Sequence, residues 1–287
     1  MNFAKYHGLG NIYIVIEPTG SALAERLSKD AIRMICHPHF GVGSDGILWG
    51  PLPSNTCHFG VRIYNPDGSD AEKSGNGLRI FARYLLDTGR VGHEAFSVET
   101  LGGPVTCTIS ADLHTIQAEM GQVRFWSEAI PVTGPPRDVL DETMQVGGRT
   151  FRFCAATLGN PHCVVLVDEP PSPELAHQYG PLIEHSPLFP QRTNVQFLYV
   201  VDRKNLQIEI WERGASYTIA SGSSSTAVTA VAHKLGLCDS QVTVHMPGGT
   251  LSVSLDENYY GTLIGPVTKI CGGEIAAEMF DFSLPQL

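Results

Sequence analysis

The feature that most constrains this chain is that it is written twice. Leu9-Gly10-Asn11 leads into the apolar run Tyr13-Ile14-Val15-Ile16 and then Glu17-Pro18, and Leu158-Gly159-Asn160 leads into Cys163-Val164-Val165-Leu166-Val167 and then Asp168-Glu169-Pro170. Gly10 and Gly159 stand 149 residues apart, as do Asp45 and Asn194 at the ends of Phe40–Asp45 and Phe189–Asn194. Ile63-Tyr64-Asn65 answers Ile210-Trp211-Glu212 at an offset of 147, and the pairs Ser74-Gly75 and Ser221-Gly222 keep that offset. Gly102-Gly103 and Gly248-Gly249 each precede an alternating strand-like run, at an offset of 146. Five landmarks in one order, with offsets drifting by three, are hard to assign to chance. They predict two similar structural units.

Each half reads as strand, helix, strands, helix, strands. Ala22 to Cys36 carries Leu23, Leu27, Ile32 and Ile35 at helical spacing. Asn76 to Leu86 places Leu78, Phe81, Ala82 and Leu85 on one face, and its counterpart Ser224 to Leu235 does so with Ala227, Val228, Val231 and Leu235. Strand candidates are Phe59–Ile63, Phe96–Val98, Gln117–Met120, Phe197–Val201 and Gln207–Trp211. The sum is an α+β chain. Its internal boundary is expected near 120–150, where Ile130-Pro131, Gly134-Pro135-Pro136 and Gly147-Gly148 cluster.

Composition excludes several classes. With 43% hydrophobic and 17% charged residues in 287, the chain can bury enough apolar surface to fold. A net charge of −10 disfavours a nucleic-acid partner, which needs a basic face. No apolar run reaches the length of a membrane span, so no membrane partner is expected. Seven Cys without CxxC spacing support neither a disulfide framework nor a metal site. With no evident secretory signal at Met1–His7, the expected location is the cytoplasm. A small zwitterionic ligand remains compatible with all of this.

The repeated Ser-Gly loops carry the candidate chemistry. Ser74-Gly75-Asn76-Gly77 and Ser221-Gly222-Ser223-Ser224 each lead directly into a helix. A helix N-terminus presents unpaired N–H groups and partial positive charge, and is therefore an anion site. Two such termini related by a pseudo-dyad could face each other across a domain cleft and grip one carboxylate. An isolated Ser-Gly would be an ordinary N-cap; its recurrence at the repeat offset favours function. Upstream, Asn65 answers Glu212-Arg213. Arg213 could pair with a carboxylate, and Glu212 could act as a base or bind an ammonium, against the plainer reading of a surface ion pair at a strand end. Asn11, Asn160 and Asn194 supply amide groups after tight turns, or simply build those turns. His162 sits in a repeated landmark, as a structural or a catalytic histidine.

At these residues the chain resembles the diaminopimelate epimerase family. The motifs are His7-Gly8-Leu9-Gly10-Asn11, Asn65-Pro66-Asp67-Gly68-Ser69 with Gly75-Asn76-Gly77, Gly159-Asn160-Pro161-His162, Arg192-Thr193-Asn194-Val195, Glu212-Arg213-Gly214-Ala215 and Pro247-Gly248-Gly249. They run in order over nearly the whole chain. The resemblance implies two pseudo-symmetric domains, each a barrel-like mixed sheet wrapped around a central helix. An N-terminal domain would span 1–120, with 267–287 returning to it, and a C-terminal domain 121–266. It implies a cofactor-independent, metal-free epimerase or racemase of LL- and meso-diaminopimelate or a related amino acid, moving an α-proton in a cleft between the domains. Substrate binding would fall to Asn11, Asn65, Asn160, Asn194, Glu212 and Arg213, with Gly75, Asn76, Gly222 and Ser223 as helix-terminal donors. The resemblance also allows a homodimer.

The chain departs from the family at the catalytic pair. The resemblance implies a cysteine thiolate and a cysteine thiol at 74 and 221; both are Ser here. A Cys thiol has a pKa of about 8.5, whereas a Ser hydroxyl is far less acidic and needs a neighbouring base. Ser216-Tyr217 stands where the family usually has Gly-Glu, Gly46 where some members have a substrate-contacting Gln, and Ile12 where an acidic residue is usual. Three readings follow. Ser74 and Ser221 act with help from His162 or Glu212, as an epimerase or as a one-base isomerase or dehydratase; or the chain is an amino-acid-binding module without turnover; or it is a Cys-to-Ser trapped variant.

Overall fold

The computed structural model of the protein describes residues 1–18, 27–111 and 115–281. In chain order the elements are β1 (Asn2–Gly8), β2 (Asn11–Ile16), α1 (Lys29–Cys36), β3 (Ile47–Leu52), β4 (Phe59–Tyr64), β5 (Asp70–Ala71), α2 (Gly75–Asp87), β6 (Phe96–Thr100) and β7 (Gly103–Ile109). There follow β8 (Thr115–Gln122), β9 (Glu142–Val146), β10 (Arg149–Thr157), β11 (Pro161–Leu166), α3 (Pro173–Glu184), β12 (Asn194–Asp202), β13 (Asn205–Glu212), β14 (Ser216–Thr218) and α4 (Gly222–Lys234). The last strands are β15 (Gln241–Met246), β16 (Gly249–Leu255), β17 (Tyr260–Pro266) and β18 (Thr268–Glu274). The chain divides into two compact units, one of Met1–Ile116 with Pro266–Leu287 and one of Gln117–Gly265.

In the first unit β1 pairs antiparallel with β2 and β18. The chain crosses through α1 so that β3 lies parallel to β2, with Ile14 opposite Ile47 and Ile16 opposite Trp49. β4 returns antiparallel to β3, and a second crossover through α2 brings β6 parallel to β4. Ile14, Ile16, Ile32, Ile35, Ile47, Trp49 and Tyr64 form one buried cluster. The second unit repeats this path with its own residues. β10 pairs antiparallel with β11, and α3 crosses to a parallel β12, with His162 opposite Asn194. β13 runs antiparallel to β12, and α4 crosses to a parallel β15. Phe151, Phe153, Val165, Ile183, Phe189, Val195 and Phe197 make up much of its core.

The five strand candidates all occur, each extended by one to four residues. The second crossover helix of each unit is enclosed by its sheet, as the family resemblance implies. A one-sided apolar face suggests an amphipathic helix, yet Gly75 to Ala82 of α2 and Gly222 to Ala232 of α4 are buried on every side. Strands β10, β11, β12, β15 and β16 surround α4, and α2 packs on β1, β2 and β7. Helix α1 begins at Lys29, capped by Ser28, whose Oγ accepts from the Ala31 N–H at 3.1 Å. Leu27 precedes this cap, while Leu23 and the rest of 22–26 lie outside the described residues. Helix α3 carries a readable start, Ser172 as N-cap followed by Pro173.

Enclosing a helix demands close approach. A Cβ placed on Gly261 of β17 would lie 2.4 Å from Thr226 Cγ2 of α4. Thr226 cannot turn away freely, because its Oγ1 donates to Gly222 O at 3.0 Å. Gly261→Ala is therefore expected to lower stability by about 1–3 kcal/mol, as overpacked cores do. Thr226→Ser in the same chain removes the obstructing methyl and should restore most of it. Urea unfolding of the single and double variants checks this.

Candidate active site

The first unit gathers its sequence motifs around the start of α2. Leu9 and Gly10, at φ 57° and 83°, turn β1 into β2 and set Asn11 at the head of that strand. Asn11 Nδ2 donates to Asp45 Oδ2 at 3.1 Å, and Asn11 Oδ1 accepts from Asn76 Nδ2 at 3.1 Å. Asn76 Oδ1 accepts in turn from Arg79 Nη2 at 2.8 Å. Two amides thus link a carboxylate to a guanidinium. Arg79 is wholly buried, its Nε and Nη1 have no hydrogen-bond partner among the described residues, and burial lowers its pKa to about 9. Asn65 closes the turn after β4: its N–H donates to Ser69 O and its Nδ2 to Ser69 Oγ, both at 2.9 Å.

Ser74 is the N-cap of α2, and its Oγ accepts from the Gly77 N–H at 3.0 Å. It also accepts from the Tyr13 hydroxyl at 3.0 Å. The ring of Tyr13 lies over Gly46, where an added Cβ would stand 2.6 Å from Tyr13 Cε1 and 2.7 Å from the Tyr64 carbonyl oxygen. Gly46, one of the departures from the family motif, is the space that this ring occupies.

The second unit builds the same positions with neutral groups. Asn160 is 9% exposed, and its Oδ1 lies 3.1 Å from His162 Nε2 while its Nδ2 reaches Ser223 Oγ at 3.4 Å. His162 Nδ1 meets Gln196 Nε2 at 3.1 Å, and the same nitrogen donates to Ser224 Oγ at 2.9 Å. His162 therefore accepts at Nδ1 and donates through Nε2. It is wholly buried, and desolvation drives its pKa down to about 3. This is a neutral imidazole with both nitrogens engaged. Ser221 caps α4 more loosely than Ser74 caps α2: its Oγ lies 3.4 Å from Ser224 N and 3.5 Å from Ser223 Oγ.

Asn194 is a strut. Its Nδ2 donates to Pro161 O at 2.8 Å and its Oδ1 accepts from Arg213 N at 3.0 Å, joining the β11 entrance to the loop after β13. That loop is held from behind by Glu184 at the end of α3, which is 3% exposed. Glu184 accepts from Trp211 Nε1 at 2.7 Å, from Gly214 N at 3.2 Å and from Arg192 Nη1 at 3.2 Å. Glu212 and Arg213, both half-buried, lie between the two anchored positions; Glu212 Oε2 accepts from Thr218 Oγ1 at 3.3 Å. Ser216 adopts a φ of 65°, the left-handed region that suits the glycine usual there. Tyr217 donates to the buried Glu209 Oε2 at 2.7 Å and stacks on His177.

The structure thus groups Asn11, Gly75 and Asn76 with Ser74 in one unit, and Asn160, His162, Gly222 and Ser223 with Ser221 in the other, with Asn194 and Arg213 directly bonded beside the latter. Tyr13, Asp45, Gln196 and Glu184 are the residues the motifs did not single out. Asp45 was within reach, since the repeat aligns it with Asn194 and both tie a turn to its neighbouring strand. Four of the seven cysteines are poor substitutes for a thiolate: burial raises Cys36, Cys154 and Cys238 to about 11 and Cys163 further.

A second feature separates the helices. α1 and α3 carry Asp30 and Glu174 in their first turns, whereas α2 and α4 carry no acidic residue there. Acidic side chains ordinarily neutralise a helix start. All four described α-helices are serine-capped, but at the starts of α2 and α4 that task is left to something outside the first turn.

A duplicated α+β chain, each half threading a serine-capped helix through its own mixed sheet, defines the fold class. A probable proline racemase from Agrobacterium radiobacter K84 superposes with a TM-score of 0.73 at 16% identity, covering 98% of this chain and 94% of that one. In sequence, the diaminopimelate epimerase profile matches residues 3–126 and 154–270. A diaminopimelate epimerase 2 of a Nostoc species (strain PCC 7120) is 54% identical over 280 residues, 98% of this chain and 97% of its own. A diaminopimelate epimerase of Moorella thermoacetica is 37% identical over 97% of this chain and 100% of its own. The chain belongs to the diaminopimelate epimerase family.

His162 gives this site a measurable pH signature. Its folded pKa of about 3 lies below the ordinary value of 6.5. Between those values the unfolded chain binds the extra proton, so this group's stability contribution is complete above pH 6.5 and declines as pH falls towards 3. The slope should approach about 1.4 kcal/mol per pH unit. His162→Gln, which cannot charge, is expected to flatten that part of the acid limb in urea titrations run at stepped pH.

Proposed function

We propose that this protein is a cofactor-independent amino-acid epimerase acting on diaminopimelate. The observation that carries the reading is the pair of serine-capped, acid-free helix starts embedded in the motifs of the diaminopimelate epimerase family. The names of the 54% and 37% identical relatives support the substrate. N–H groups at Gly75–Asn76 and Gly222–Ser223 bind the α-carboxylate, which supplies the negative charge that the first turns lack. Neutralising that carboxylate also favours the carbanion formed when the α-proton leaves.

Asn11, Asn65, Asn160, Glu212 and Arg213 recognise the remaining polar groups of the ligand. Arg213 offers the planar fork that a second carboxylate needs, and Glu212 the charge that an ammonium needs. Asn194 and His162 position this set: Asn194 holds the Arg213 backbone, and the neutral imidazole fixes the Asn160 amide. Ser74 and Ser221 exchange the proton. A hydroxyl is a weaker acid than a thiol, so the chemical step is slow relative to a dithiol enzyme.

The purified protein, incubated with LL-diaminopimelate in D₂O, is expected to place deuterium at the α-carbon of inverted product, read by mass spectrometry and chiral chromatography. The double variant S74C/S221C should raise that rate by about 10²–10⁴-fold, the span of general acid–base catalysis. Absence of exchange in both proteins refutes the assignment.

A further inference from the structure

Repetition makes Ser74 and Ser221 equivalent in sequence, yet their hydroxyls have different neighbours. Ser221 Oγ sits at 3.4–3.5 Å from Ser224 N and Ser223 Oγ, neither of which can hold or release a proton near neutral pH. Ser74 Oγ accepts two shorter bonds of 3.0 Å, from the Gly77 N–H and from the Tyr13 phenol. With both acceptor positions taken, its own hydroxyl proton is left to point elsewhere. Tyr13 is 6% exposed, and its ring is placed by the absence of a side chain at Gly46.

We propose that Tyr13 is the proton reservoir of Ser74, a relay residue acting through the serine hydroxyl. This rests on the epimerase reading above. When the substrate carbanion is reprotonated, the Ser74 Oγ–H bond breaks and the α-C–H bond forms. The Tyr13 O–H bond breaks as its proton passes to Oγ, and the charge comes to rest as a phenolate. In the reverse direction the phenolate takes the Ser74 proton as Oγ takes the α-proton. The relay ends on a phenol, whose ordinary pKa of about 10 is far closer to neutrality than that of an alkyl hydroxyl. Two donors into Oγ also stabilise negative charge that develops there in transit. The same argument explains how a serine can stand where the family motif implies a thiol, and it assigns the phenol-assisted step to Ser74 alone.

Tyr13→Phe keeps the ring over Gly46 and removes only the hydroxyl. It is expected to lower kcat for diaminopimelate epimerisation by at least about tenfold, with KM within about twofold. In an S74C background, where the thiol ionises unaided, Tyr13→Phe should change kcat less than about twofold. In H₂O/D₂O mixtures the unaltered protein should give a bowed dependence of rate on deuterium fraction, from two protons in motion, and S74C a straight one. A loss of equal size in both backgrounds, no loss with serine at 74, or a straight dependence for the unaltered protein overturns the relay while leaving the epimerase reading intact. No turnover by the unaltered protein, with turnover by S74C/S221C, also overturns the relay but keeps the substrate assignment. No turnover by either refutes the epimerase reading itself.

Discussion

The constraint on which this structure depends is the enclosure of one helix by its own sheet in each unit. A buried helix has four N–H groups at its start that find no intrahelical acceptor. In a surface helix water meets them. In α4, where every residue from Gly222 to Ala232 is buried, water is largely excluded. The sequence Gly-Ser-Ser-Ser-Thr-Ala-Val-Thr-Ala-Val-Ala fits this setting. Its side chains are small enough for strands to approach. Three of its hydroxyls turn back onto the helix, Ser225 donating to Ser221 O and Thr229 to Ser225 O at 2.8 Å and Thr226 to Gly222 O at 3.0 Å. The one serine left to cap the start satisfies one N–H group. The fold thus sets a helix start inside the protein wherever it places its central helix.

The two units answer the same geometric problem with different electrostatics. Around α2 the amides of Asn11 and Asn76 bridge Asp45 to Arg79, so charge of both signs stands behind the helix start. Burial without a direct carboxylate partner leaves Arg79 more weakly basic than an ordinary arginine. Around α4 the corresponding chain runs Gln196, His162, Asn160, Ser223, and every member is neutral. A neutral network in low dielectric holds its geometry through hydrogen bonds alone, and protonating His162 would leave its Nδ1 donor facing the Gln196 amide nitrogen. Duplication therefore preserved the path of the chain while the buried polar groups diverged.

Much of the path was legible because topology is written in landmarks. The turn residues Gly10 and Gly159, the caps Ser74 and Ser221 and the alternating runs after Gly102 and Gly248 carry local physical reasons to sit where they do, and they recur. What surrounds the second helix of each half was not legible in its own residues; the enclosing sheet was expected from the family resemblance alone. Leu78, Phe81, Ala82 and Leu85 describe an apolar face, but only the structure shows that Asn76 and Arg79 on the other sides are buried as well. Within the site, residues belonging to a repeated motif were visible, whereas Tyr13, Gln196 and Glu184 were not. Each of these meets its partner across 27 to 61 residues of chain, through contacts that no local pattern encodes. Glu184, for instance, closes a helix in sequence and supports the loop after β13 in space.

The same geometry makes clear what serine and cysteine trade at a helix start. Serine is among the strongest N-caps, and losing such a cap costs about 0.5–2 kcal/mol. A cap of this kind fixes the oxygen by engaging a lone pair with the N3 amide, as Gly77 does for Ser74. A thiol caps poorly but ionises within reach of neutral pH, more so beside a helix N-terminus. Serine at both starts therefore favours a rigid cap over proton mobility. The two units differ in what stands beside that cap: among the described residues one hydroxyl has a phenol within 3.0 Å, while the other has further hydroxyls and amides. Capping depends on helix termini that the fold duplicates, whereas proton mobility depends on side chains that it does not.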